Sequence, residues 1–174
     1  MGQKINPVGF RTGSFLPWKS RWYAEGQFSE FLLEDVKIRR ALMKKLIVAG
    51  VERVEIERLN KSMVVHLFVS RPGVVIGRGG SGIEELRKDV VEILKETRGP
   101  KAAQTKMEFR VNEVKNADLS AHLTLMRIIQ DVERRLPPRR VVTKAMERAM
   151  NAGALGIKIV LAGRIAGADI ARKE

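Results

Sequence analysis

The sequence predicts an α+β chain in two units, on three observations. Residues 29–114 carry helix-type and strand-type patterns in the order helix, strand, strand, glycine loop between two helical pieces, strand. Residues 115–174 form a second α+β unit with a different content, two helical runs and at least one strand. A hydrophobic fraction of 44% over 174 residues is ample for a core and argues against wholesale disorder.

The opening segment, residues 1–28, has no regular period and reads as irregular. Lys4, Arg11, Lys19 and Arg21 face only Glu25 there, a balance of +3. Trp18, Trp22 and Tyr23 lie among these bases. Two readings stay open for the rings: stacking on nucleic-acid bases beside phosphate contacts, or plugging the flank of the core. From Ser29 to Ala49 apolar residues recur at helical spacing (Leu32, Val36, Met43, Ile47), with Ser29 as cap and Gly50 as the stop. Val51–Leu59 alternates in part, Val54 and Ile56 against Glu55 and Glu57, as a strand with one wet face does. Met63–Val69 is almost continuously apolar, the pattern of a central strand. Asn60-Lys61-Ser62 is a turn, so the two strands are expected to form a hairpin. Ile83, Leu86, Val90 and Ile93 make one face of a helix ending near Arg98-Gly99-Pro100, and Lys106–Asn112 alternates as a half-buried strand.

In the second unit, Asp118–Leu136 is helical, with Leu119, Leu123, then Met126 or Arg127 and Ile129 or Gln130 at the turns. Pro137-Pro138 breaks it. Arg139–Ala152 is a further helix, stopped by Gly153, and Ile157–Ala162 is a strand. A lone strand leaves both edges unpaired. The unit is therefore expected either to borrow a sheet or to lack strands that would follow Glu174.

The glycine loop carries the sharpest signal. Gly77-Arg78-Gly79-Gly80-Ser81-Gly82 fits G-x-G-x-x-G, the dinucleotide fingerprint, and Gly77 to Gly80 fits G-x-x-G, with which a KH domain clamps a nucleic-acid backbone. Ser81 followed by Glu84 reads as a capping box. A dinucleotide fold needs its glycines directly between a parallel strand and its crossover helix. Here Gly73–Ile76 intervenes and the first two strands look like a hairpin. The helix-strand-strand-helix-helix-strand order over residues 29–114 is that of a type II KH domain.

Charge points the same way. Lysine and arginine total 33 against 20 acids, a net charge of +13, which calls for a polyanionic partner. An anionic membrane surface is the other candidate, but no apolar run reaches the roughly 18 residues of a bilayer span. The N-terminus lacks the apolar core of a signal peptide. Arg134, Arg135, Arg139, Arg140, Lys144 and Arg148 against Glu147 give +5 within fifteen residues. Arg140, Lys144 and Arg148, four apart, share a helix face that could neutralise successive phosphates. There is no cysteine, no acid pair, no triad pattern and no metal-ligand spacing, so nothing implies catalysis, a metal or a cofactor. His66, in an apolar strand, reads as a packed residue, and the methionines read as core filling.

The motifs Met1-Gly2-Gln3-Lys4-Ile5-Asn6-Pro7-Val8-Gly9-Phe10-Arg11, Ser20-Arg21-Trp22-Tyr23-Ala24, Arg71-Pro72-Gly73-Val74-Val75-Ile76-Gly77, Gly153-Ala154-Leu155-Gly156-Ile157-Lys158 and Gly163–Arg172 closely resemble the bacterial small-subunit ribosomal protein S-three family. The match is collinear over essentially the whole chain. The resemblance implies a structural protein of the cytoplasmic ribosome, bound to rRNA in the head of the small subunit, not a homo-oligomer and not membrane-bound. It also implies neighbours in the small-subunit proteins numbered ten and fourteen, and a basic cluster lining the channel where mRNA enters. On that basis Gly77, Arg78, Gly79 and Gly80 are the RNA-binding loop, and Arg139, Arg140 and Lys144 contact mRNA. Lys4, Arg11, Lys19, Arg21, Trp22, Lys158, Arg164 and Arg172 contact rRNA. Two departures stand out: Arg78 and Gly79 replace the family's two lysines, and Thr143 replaces a base of the mRNA cluster. Members also continue past Glu174. The alternatives are a free KH-domain regulator, such as a transcription or ribosome-assembly factor, and an enzyme that holds a dinucleotide on Gly77, Gly79 and Gly82.

Overall fold

The structure, a computed structural model, describes residues 2–59, 62–98 and 106–174. Gly99, Pro100 and the turn residues Asn60 and Lys61 lie outside the described residues. The chain forms two compact units, residues 1–113 and 114–174.

The first unit is a KH fold. Its elements are α1 (Pro7–Arg11), β1 (Ser20–Arg21), α2 (Phe28–Lys45), β2 (Val51–Leu59), β3 (Ser62–Val69), α3 (Pro72–Ile76), α4 (Ser81–Arg98) and β4 (Lys106–Glu113). The sheet order is β1-β2-β3-β4. β2 and β3 form the expected hairpin, with Leu59 opposite Ser62, and β4 lies parallel to β3 in unbroken register from Ser62–Lys106 to Val69–Glu113. Alternation sends Val54, Ile56, Met63, Val65, Leu67, Val69 and Met107 to one face. Leu86, Val90 and Leu94 of α4 cover that face together with Ile38 and Leu42 of α2 and Leu46 just after it. Burying each such Val or Leu contributes about 1.5–3 kcal/mol.

The structure corrects the face of α2. Its sequence holds two apolar rows. The row expected to be inside is largely outside, since Leu32 is 44% exposed and Ile47 46%. The buried row is Glu34, Ile38, Leu42 and Leu46, four apart, with Asp35 beside it. Both carboxylates are fully buried because cations on other elements reach them. Arg98 grips Glu34 through two donors at 2.5 and 2.7 Å, and Arg58 reaches Glu34 at 2.7 Å and Asp35 at 2.5 Å. The Trp22 indole N–H and the Ser20 hydroxyl donate to Asp35 at 2.8 and 2.6 Å. The Arg58 and Arg98 guanidinia also lie over the Phe31 ring, at 5.1 and 4.1 Å. A buried carboxylate is tolerable only with this degree of pairing. The network ties β1, α2, β2 and the end of α4 together. None of those partners is local in sequence.

Other expectations shift by smaller amounts. Residues 1–28 are not irregular throughout: Asn6 caps α1 with Pro7 at its first turn, and β1 adds a parallel edge to the sheet, with Ser20 opposite Ile56. α2 begins at Phe28, one residue before the expected Ser29 cap, and its last turn is a 3₁₀ segment, Ile47–Ala49, closed by Gly50 at φ +67. Glu55 lies on the face expected to be wet yet is buried, because Arg21 and Arg53 cover it at 2.8 and 2.9 Å. Met63 and Met107 are core, whereas Met43, Met146 and Met150 are more than a third exposed.

The second unit holds α5 (Ala121–Glu133), α6 (Pro138–Asn151), β5 (Ala162–Gly163) and β6 (Arg172–Lys173). α5 starts three residues later than Asp118, which lies instead in a 3₁₀ turn, Ala117–Leu119. The expected strand Ile157–Ala162 is mostly extended chain outside any ladder, and only β5 pairs, with β6. Both helices end in the same way. Gly153 at φ +94 donates to the Met150 carbonyl and Ala154 to Ala149. Arg135 at φ +62 donates to Val132 and Leu136 to Asp131. These are two Schellman caps, one with the usual glycine in the left-handed position and one with an arginine.

Candidate nucleic-acid interface

The four glycines around the loop have different tasks. Gly77 closes α3 at φ +70, and a Cβ there would lie 2.9 Å from the Gly82 nitrogen. Gly82, early in α4, has no room at all: a Cβ would sit 2.4 Å from the Val75 carbonyl oxygen. α3 and α4 therefore cross backbone against backbone, and the last glycine of the G-x-G-x-x-G match serves that crossing. Gly79 and Gly80 are left-handed, φ +61 and +85, and open to solvent at the Cβ position. Together with Arg78 they form a 3₁₀ turn at the start of α4, with Arg78 exposed. This brings Gly77, Arg78, Gly79 and Gly80 into one exposed turn whose backbone a polyanion can approach closely. The capping box does not form: Ser81 is already helical at φ −57, ψ −35, where a cap would be extended.

The N-terminal candidates divide. Lys4, Arg11 and Lys19 are exposed. Arg21 spends its charge on Glu55 at 2.8 Å and Glu57 at 3.3 Å. Trp22 is half-buried against Phe28 and Phe31, with ring centroids 5.3 and 5.4 Å away, and its N–H is held by Asp35. That placement gives Trp22 the packing task, one of the two readings open to it. His66 packs in the sheet 3.5 Å from Glu57.

In the second unit α6 carries the basic cluster. Arg140 and Lys144 are exposed one turn apart, and Arg139 has a side chain 80% exposed. Arg139 donates to the Glu174 carboxylate at 2.7 Å. That hydrogen bond, aided by the nearby charges of Arg139 and Arg172, holds the Glu174 carboxyl below the usual carboxylate range. The Thr143 hydroxyl bonds back to the Arg139 carbonyl, one turn earlier, at 3.0 Å. Arg148, expected on the same face, is half-buried beside Asp118, Arg127 and Asp131. Lys158 and Arg172 are exposed, while Arg164 is partly occupied by the Ala168 carbonyl at 2.9 Å and Asp169 at 3.2 Å.

A KH fold with an exposed Gly-x-x-Gly turn, followed by a basic α+β unit, defines a class of RNA-associated proteins. The KH domain family model matches residues 37–119, and the model of ribosomal protein S3, C-terminal domain, matches residues 128–174. Small ribosomal subunit protein uS3 of Clostridium acetobutylicum is 43% identical over 175 residues, covering 100% of this chain and 75% of that protein. Its counterpart in Caldicellulosiruptor saccharolyticus is 44% identical over 175 residues, with 100% and 75% covered. That of Legionella pneumophila is 42% identical over 174 residues, with 100% and 76% covered. The chain belongs to the uS3 family of ribosomal proteins. That family is structural and not enzymatic, which removes the dinucleotide-dependent enzyme.

Proposed function

We propose that this chain is a constituent of the small subunit of the cytoplasmic ribosome, bound to rRNA in the subunit head and contributing to the channel where mRNA enters. The observation that carries this reading is the collinear similarity to uS3 proteins across every residue of the chain. The exposed basic residues supply the chemistry. Lys4, Arg11, Lys19, Lys158, Arg164 and Arg172 hold rRNA phosphates, with Arg21 secondary because acids already neutralise it. Arg78 and the open backbone of Gly77, Gly79 and Gly80 add a further phosphate contact. Such contacts position the protein and do not read sequence. Residues 29–114 act as the KH domain, preceded by a basic segment and followed by the second unit from 115. Small-subunit proteins ten and fourteen are its neighbours.

Arg139, Arg140 and Lys144 meet mRNA in this reading, Arg139 exchanging Glu174 for phosphate. Replacing all three with alanine is expected to slow unwinding of structured mRNA while subunits still assemble and sediment normally; failure of assembly would count against the assignment. Retention of the chain on small subunits through a high-salt sucrose gradient tests the reading as a whole. A chain that washes off would favour the free KH regulator.

A further inference from the structure

The segment before β1 is tied by hydrogen bonds yet α1 buries nothing. Asn6 Oδ1 accepts from the Val8 and Gly9 N–H groups at 2.9 and 3.1 Å, and the Thr12 hydroxyl returns to the Val8 carbonyl at 2.7 Å. The N–H groups of Phe15 and Leu16 both donate to the Arg11 carbonyl, at 3.0 and 2.9 Å, and Gly13, at φ +92, donates to Leu16 at 3.0 Å. The backbone is thus set, while its large rings stay outside: Phe10 is 68% exposed, Phe15 85% and Trp18 63%. One exposed ring is ordinary; three between residues 10 and 18 mark a binding surface. Trp22, four residues later, shows the contrast, since its ring is taken into the fold. The charge carried by the segment itself has one sign, for residues 2–24 contain Lys4, Arg11, Lys19 and Arg21 and no acid, and of these Arg21 is paired with Glu55 and Glu57 of β2.

We propose that Phe10, Phe15 and Trp18 are stacking platforms for unpaired RNA bases, with Lys4, Arg11 and Lys19 holding the phosphates between those bases. The proposal rests on the rRNA reading above and adds to it base contact at three rings. Every base has a π-face, so binding is tolerant of sequence, and a segment whose own charges are all basic selects a polyanion over an apolar protein surface.

The test is a titration of the full chain with an unstructured RNA of about twelve nucleotides and with an abasic ribose-phosphate oligomer of equal length. The base-bearing RNA is expected to bind more tightly by roughly fivefold or more per stacked ring, quenching the Trp18 emission. Phe15→Leu combined with Trp18→Leu removes that preference and leaves the abasic affinity and the circular dichroism unchanged. Lys4→Ala with Lys19→Ala weakens both ligands alike and flattens the salt dependence. An unchanged base preference in the double leucine variant overturns the proposal. A photo-crosslinker at position 15 in assembled subunits is expected to label RNA, and an adduct to a protein overturns it as well. Failure of the chain to stay on washed subunits would sink the ribosomal reading instead, and the oligonucleotide titration would still decide the stacking.

Discussion

The two units divide their apolar residues in opposite ways. Among the described residues, the KH unit gathers sixteen buried side chains from two long helices, the 3₁₀ turn after α2, three strands and the short α3 into one cluster. In the second unit Leu123, Ile128, Val141 and Ala149 are buried, while Leu125, Ile129, Val132, Leu136, Met146 and Met150 on or beside the same two helices stay more than a third exposed. The difference lies in the sheet. Four paired strands offer a broad face on which α2 and α4 bury a whole stripe, whereas two strands of two residues offer α5 and α6 almost none. Amphipathic helices draw most of their stability from the surface they pack on. The KH unit is therefore expected to be the more stable body.

The largest expected effect tests the closure of the KH unit. Arg58→Met leaves Asp35 with the Ser20 and Trp22 donors and the Arg39 guanidinium 4.0 Å away, and leaves Glu34 with Arg98 alone; loss of a buried partner of this kind costs up to about 3–5 kcal/mol. Urea unfolding of the variant measures it, and a change below about 1 kcal/mol would mean the network adds little. Next, Leu42→Ala is expected to cost the KH unit about 2–5 kcal/mol, and Leu123→Ala less in the second unit, whose poorer packing leaves less to lose. Hydrogen exchange read separately over each unit gives both numbers, and equal losses would break the contrast. Gly82→Ala forces the crossing of α3 and α4 apart and is expected to cost about 1–3 kcal/mol, visible as faster exchange in α3. The smallest effect is a gain: Arg135→Gly relieves a left-handed arginine at the end of α5 and should raise stability by up to about 1 kcal/mol. A loss there would show that the arginine side chain outweighs its backbone strain.

The N-terminal segment shows how far local reading went. Asn6 followed by Pro7 is a legible helix start, a side-chain acceptor ahead of a ring with preset φ, yet a five-residue helix is too short to leave a period. Trp18 and Trp22 look alike in sequence, each among bases. Asp35 separates them by supplying a buried acceptor to one and nothing to the other. Gly77 and Gly82 were visible as glycines of a motif. That Gly82 is excluded from having a side chain by the Val75 carbonyl required the crossing itself.

Properties that depend on neighbours along the chain were determined by the sequence alone. These are the order of helices and strands over residues 29–114, the β2–β3 hairpin, the exposed glycine turn and the excess of positive charge. Alternation, helical spacing and turn chemistry act over a few residues, so they can be read where they stand. Tertiary structure decided which side of each element faces inward. α2 had two apolar rows, and the row that starts at Glu34, with Asp35 beside it, went inside, where Arg58 and Arg98, from a strand and a helix far along the chain, meet both carboxylates. A local pattern offers the choice of face; the pairing of buried charge, which joins residues distant in sequence, makes it.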